Sequence, residues 1–97
     1  MRVLSKAILR EFWEQHPDTK QQLLSWFRET ENSKWANFND IKAEYPNASI
    51  IGEERVVFNI KGNKYRLIIK IRFKHQLIWV RFIGTHAEYD KIDATKI

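Results

Sequence analysis

The sequence predicts an α+β fold: an N-terminal helical hairpin packed on a small, mainly antiparallel β-sheet, with a short C-terminal helix or tail. Three observations carry this. As far as about Glu31 the apolar residues recur at spacings of three and four, the period of an amphipathic helix. After Gly52 the period becomes two, that of a half-buried strand. Between two such strand-like runs lies Lys61-Gly62-Asn63-Lys64, where Gly-Asn can take the positive φ of a tight hairpin.

Each element follows in order. Ser5 is positioned to cap a first helix running to about His16, with Leu4, Ala7, Ile8 and Phe12 on one face. Pro17-Asp18-Thr19 ends it. Thr19 with Gln22 matches a capping box for a second helix to about Glu31, with Leu23, Leu24 and Phe27 turned inward. Residues 32–39 read as a loop. Asp40 to Glu44 reads as one helical turn, stopped by Tyr45-Pro46. Strands are predicted at Arg55–Ile60, Tyr65–Phe73 and Leu77–Ile83, with Gly84 ending the third. A short helix is expected at Ala87–Ile92.

Residues 1–97 make a single domain, with 43% hydrophobic and 13% aromatic content to fill a core, which excludes a disordered chain. The absence of cysteine excludes a disulfide framework and a thiolate metal site, and suits a reducing cytoplasm. No apolar run is long enough for a signal peptide or a membrane span, so no membrane partner is expected.

Two-residue hairpins at Gly62-Asn63 and Lys74-His75 would pair Val56 with Ile69, Phe58 with Leu67 and Ile60 with Tyr65. They would also pair Leu67 with Phe82, Ile69 with Val80 and Ile71 with Ile78. Every pair is apolar, which is what a correct register gives, since a slip of one residue inverts the faces. The opposite face then carries Asn59, Lys61, Arg66, Lys70, Arg72, Trp79 and Arg81.

That face is cationic. From Arg55 to Ala87 the chain has eight Lys or Arg and no Asp or Glu, against a net charge of +5 overall. A one-signed field on a rigid sheet points to a polyanion. Cations for phosphates plus a ring for base stacking is the pattern of single-stranded RNA recognition, with Asn59, Lys64, Lys70, Trp79 and Arg81 as RNA-binding candidates. The plain alternative is a solvated, lysine-rich strand face that deters edge pairing.

The chemistry open to this chain is narrow. Its three histidines lack ligand spacing, so no metal and no cofactor is expected. No serine sits in a nucleophile elbow, and the acids avoid the basic face. RNA, however, carries its own nucleophile, the 2′-OH. The protein need only move protons and stabilise charge on phosphorus, tasks that Arg, Lys, His and Tyr can divide. Arg66, Lys61 or Lys64, His86 and Tyr89 fall at one corner of the sheet in this register. His86 reads equally as a turn residue beside a helix start.

Val57-Phe-Asn-Ile-Lys-Gly-Asn-Lys-Tyr-Arg-Leu-Ile68 followed by Thr85-His-Ala-Glu-Tyr-Asp90 resembles the HigB toxins, RelE-like members of type II toxin–antitoxin systems. The resemblance spans the chain. It implies a RelE-like fold and a metal-independent endoribonuclease, an mRNA interferase cutting translated messages at the ribosome. It also implies a HigA-type helix-turn-helix antitoxin as partner, with operator DNA bound only through that complex. Arg66, in Tyr65-Arg66-Leu67, resembles the arginine that contacts the scissile phosphate. His86 and Tyr89 stand near the family's C-terminal basic and aromatic positions. Two lysines of RelE-type members are here Val57 and Asn59, so the general base stays open between Lys61, His86 and both together. Two other readings remain: a non-catalytic RNA- or ribosome-binding module, and an interaction domain for an acidic protein.

Overall fold

A computed structural model describes residues 1–97. The chain runs β1 (Arg2–Leu4), α1 (Lys6–Gln15), a 3₁₀ turn (Pro17–Thr19), α2 (Lys20–Asn32), α3 (Phe38–Glu44), β2 (Ser49–Ile51) and β3 (Arg55–Ile60). It continues with β4 (Tyr65–Arg72), a 3₁₀ turn (Phe73–His75), β5 (Leu77–Thr85) and α4 (His86–Tyr89). The five strands lie in the order β1-β5-β4-β3-β2. All neighbours are antiparallel except β1, which adds to β5 in parallel. No helix is long and apolar enough to cross a membrane.

The α+β class and the helical hairpin agree with the sequence reading. The helices pack on one sheet face. Leu9 and Trp13 of α1 and Leu23 and Trp26 of α2 are buried there with Val56, Phe58, Leu67, Ile69 and Ile71. The inward face of α1 is thus centred on Leu9 and Trp13, one residue round from the predicted stripe, and Ala7 is exposed. The predicted caps are not made. Ser5 sits at φ 69° with no side-chain cap, and Thr19 donates its hydroxyl to the His16 carbonyl at 2.7 Å. The side-chain caps form instead at Asn37, which accepts from Asp40 N–H at 3.1 Å, and at Thr85.

The β3–β4 register is as predicted: Val56 faces Ile69, Phe58 faces Leu67 and Ile60 faces Tyr65. The β4–β5 register departs from expectation halfway. Ile71–Ile78 and Ile69–Val80 pair as predicted, but a bulge between Ile68 and Ile69 then shifts the ladder. Arg81 is the extra residue, so Leu67 faces Ile83 rather than Phe82, and Arg66 faces Gly84 rather than Ile83. Beyond the bulge β5 exchanges its faces and runs on past Gly84 to Thr85.

The opposite face is therefore not an open basic surface. Val57, Ile68 and Ala94 form a second buried cluster, joined by Ile51, Phe82, Tyr89, Ile92 and Ile97. The C-terminal segment crosses this face, and the Ile97 carbonyl accepts from Arg55 Nε at 2.9 Å. Central strand β4 is thus covered on both sides at its middle.

Ile68 tests that arrangement. Ile68→Ala should destabilise the fold by about 2–4 kcal/mol in denaturant unfolding, as for a fully buried aliphatic truncation. A change within about 0.5 kcal/mol, typical of a solvated strand face, would contradict the second core.

Candidate functional site

The apolar cluster divides the predicted basic face into two ends. Arg66 and Lys70 stand four positions apart on β4, roughly 13 Å along an antiparallel strand.

At the far end one carboxylate stands among three of the cations. Glu54, one residue before the acid-free window, lies 3.6 Å from Lys70, 3.6 Å from Arg72 and 3.8 Å from Arg55. Lys70 also sits over the Trp79 ring, 5.8 Å from its centroid, so its own ammonium occupies a face of the proposed stacking surface. Arg81 is exposed at the bulge. Lys70, Trp79 and Arg81 therefore belong to a different part of the surface from Arg66.

At the near end three of the sequence candidates come together. Arg66 leaves β4 between Asn59 of β3 and Gly84 of β5. Its Nη1 donates to the Asn63 carbonyl at 3.1 Å, and its guanidinium lies 5.8 Å from the Tyr89 ring centroid. The ring of His86 stands 6.4 Å from that of Tyr89, edge to face. His86 Nδ1 is 3.0 Å from Asp90 Oδ2, one helical turn on. An Nδ1–H donated to this carboxylate leaves Nε2 free to accept or give a proton. Asp90 was not singled out from sequence. The signal was its spacing: His86 and Asp90 stand four apart across a helix start.

Local structure explains why these groups meet. Thr85 caps α4 in a reciprocal box: its hydroxyl accepts from Glu88 N–H at 3.1 Å, and Glu88 Oε1 accepts from Thr85 N–H at 2.8 Å. The His86 N–H donates to the Lys64 carbonyl at 3.1 Å, tying α4 to the β3–β4 turn. Gly84 keeps the corner closed, because a Cβ there would lie 2.6 Å from Phe82 Cζ and 3.0 Å from Glu88 Oε1. Behind Arg66, the buried Tyr65 packs edge-on against Phe12 and His16, and its hydroxyl reaches Asp18 at 3.4 Å.

Two lysines of the turn take other positions. Lys64 pairs with Asp18 at 3.4 Å. The neighbouring Tyr65 hydroxyl and then Asp18 hold its ammonium above the ordinary lysine range, which ill suits a general base. Lys61 takes a left-handed φ of 54° and donates its N–H to Gln22 Oε1 at 2.8 Å. It lines a depression with Pro17, Asp18 and Ser25 on the helical side. Asn59 stays beside Arg66 as its cross-strand partner.

Fold and site together define a small α+β domain with a cationic, imidazole-bearing corner suited to a phosphodiester. The HigB toxin family, described as the RelE-like toxic component of a toxin–antitoxin system, matches residues 19–92. An mRNA interferase HigB of Escherichia coli O6:H1 is 28% identical over 94 residues, covering 95% of this chain and 91% of that protein. The mRNA interferase toxin HigB of Escherichia coli K12 is 25% identical over 92 residues, covering 93% of this chain and 88% of that protein. The mRNA interferase HigB of Shigella flexneri matches to the same extent. The chain belongs to the HigB toxin family. It is accordingly the toxic half of a two-component system whose other half is an antitoxin.

The cap gives a pH test. Hydrogen bonds from the Thr85 backbone, then from its side chain, hold the Glu88 carboxyl below the ordinary glutamate range, against a smaller opposing effect of burial. A depressed folded-state pKa means the cap stabilises α4 above the usual glutamate range and is lost as pH falls through the folded value. The Thr85 amide shift should titrate with a midpoint below that of an unperturbed glutamate. Glu88→Gln should remove the titration; an unchanged curve in that variant would reject this assignment.

Proposed function

We propose that this toxin is a metal-independent endoribonuclease that cleaves mRNA, and that the Arg66–His86–Tyr89 corner is its active site. The names of the relatives, mRNA interferases, support the activity. The observation that carries the site is the approach of a guanidinium and a carboxylate-paired imidazole to the same ring, that of Tyr89.

In this reading the ribose 2′ oxygen attacks the adjacent phosphorus. A new O–P bond forms as the bond to the 5′ oxygen breaks, leaving a cyclic phosphate and a free 5′-OH. Arg66 stabilises the charge that grows on the phosphoryl oxygens, where a preorganised donor is worth about 10²–10³ in rate. His86, held in the required tautomer by Asp90, takes the 2′-OH proton on Nε2 and passes it to the departing 5′ oxygen, a contribution of about 10²–10⁴. Tyr89 orients both groups and presents a face or hydroxyl to the substrate. Lys61, on the helical side of the turn, supplies field rather than a proton, and Lys64 is paired with Asp18. Asn59 positions the strand of RNA, and Lys70, Trp79 and Arg81 serve a more distant stretch of the same message. The message would be met in the cytoplasm, on the ribosome. A HigA-type helix-turn-helix antitoxin would neutralise the toxin by covering this face, and the complex would hold operator DNA.

Arg66→Ala and His86→Gln should each abolish growth arrest and lower message cleavage at least about hundredfold while leaving the circular dichroism spectrum unchanged. Asp90→Asn should slow cleavage without abolishing it, because it spoils the tautomer and not the imidazole. Full toxicity of folded Arg66→Ala and His86→Gln proteins would sink the site. Growth arrest without new 5′ ends on messages would favour a non-catalytic ribosome-binding role.

A further inference from the structure

The β2–β3 ladder stops at the Ser49–Val57 pair, but β3 continues to Ile60. The Ile71 N–H donates to the Glu54 carbonyl at 2.8 Å, which fixes the alternation of the β3–β4 ladder. By that alternation the N–H and C=O of Asn59 point away from β4, to the side where β2 has ended. Here, between α2, the α3–β2 loop and the rim of β3, lies a cavity of about 520 Å³. A deeper recess of about 210 Å³ shares its wall at Gln22, Tyr45, Phe58 and Asn59.

The lining is chemically selective. Gln22, Asn47, Asn59 and Asn63 contribute four carboxamides, each able to donate and accept. Tyr45 supplies an aromatic wall, fixed edge-on against Phe58 at 5.1 Å and anchored through its hydroxyl to Glu29. Neither Lys nor Arg lines either space, and Glu44 does. A phosphate finds no cation in such a site and meets Glu44; a neutral heteroaromatic ring with donors and acceptors on its edge finds several partners. Trp26 lines the recess, is 3% exposed, and its indole N–H has no acceptor.

The cavity adjoins the cleavage corner. Asn59 is the direct cross-strand partner of Arg66, and the Asn63 backbone carbonyl accepts from the Arg66 guanidinium. Directly opposed residues stand about 5 Å apart, so a nucleotide with its phosphate at Arg66 can reach over the rim of β3 with its base.

We propose that this cavity binds one nucleobase of the single-stranded RNA whose phosphodiester lies at Arg66, and so sets the base preference of cleavage. The inference rests on the catalytic reading above but adds a site outside the reacting groups.

Trinucleotides with 2′-O-methyl riboses lack the nucleophile and report binding alone. Wild-type protein should discriminate among the four bases at one position by roughly five- to hundredfold, the range of one well-made base contact. The side-chain amide signals of Asn47 and Asn59 should shift on binding. Asn47→Ala, a change at an exposed loop position, should flatten the discrimination. Arg66→Ala should weaken all four oligonucleotides alike. Absence of base discrimination by the wild type, or its survival in Asn47→Ala, would overturn the proposal. If Arg66→Ala and His86→Gln abolish cleavage while Asn47→Ala keeps the base preference, the base site fails and the catalytic reading stands. If those two variants still cleave, the catalytic reading fails first.

Discussion

One extra residue in β5 determines how the rest of the molecule is arranged. Before Arg81 the strand follows simple alternation, with Ile78 and Val80 toward the helices and Trp79 on the far side. After Arg81 the alternation is inverted, so Phe82 turns to the far side and Ile83 returns to the helical core. Phe82 completes an apolar patch with Val57 and Ile68, and that patch is large enough to hold the C-terminal segment through Tyr89, Ile92 and Ala94. Burial of apolar area at roughly 25 cal/mol per Å² is the force that keeps the segment there. His86 and Tyr89 reach Arg66 because their segment is anchored on this patch. A regular ladder would have turned Phe82 into the helical core and put Ile83 on the far face in its place.

This explains which features could be read in the sequence. The β3–β4 pairing was legible because the strand on either side of the turn offers an unbroken set of apolar partners, and only one register satisfies them all. The two helices were legible from their period. Strands β1 and β2 were not, since three residues show no period and both exist only as additions to edges already built. The bulge was not legible because no glycine or proline marks it; Arg81 fits simple alternation as well as it fits a bulge. A clue did exist. Under simple alternation Val57, Ile68 and Ile83 are large apolar residues on a face that, if solvated, would not need them, and Ile92, Ala94 and Ile97 are the matching apolar positions of a polar tail. Of the candidate site, the Arg66–His86–Tyr89 corner was legible through two motifs, and the Asp90 contact through its spacing alone.

The acid-free window shows the limit of charge read along a chain. Thirty-three residues without a carboxylate suggested a continuous cationic surface. Folding brings Glu54 against three of the cations at one end, and Asp18 from the helical layer against Lys64 at the other. Exposed pairs of this kind contribute about 1 kcal/mol or less to stability. Their effect on the field is larger, because each carboxylate removes a unit of charge from the surface an anion would meet.

Arg66 is treated differently, and the difference bears on function. It forms no ion pair; its Nη1 donates to the carbonyl of Asn63, with that of Tyr65 within 3.5 Å. Neutral acceptors fix the direction of the guanidinium without cancelling its charge, so the full positive charge remains for an incoming phosphate. The carboxylate of the corner is given to His86 instead, where it selects a tautomer and fixes the ring. Exchanging the two arrangements would quench the phosphate ligand and leave the imidazole without orientation. The tail therefore does more than close the second core. By bringing Asp90 to His86 while leaving Arg66 without an ion pair, it separates the charge that holds the anion from the charge that sets the proton.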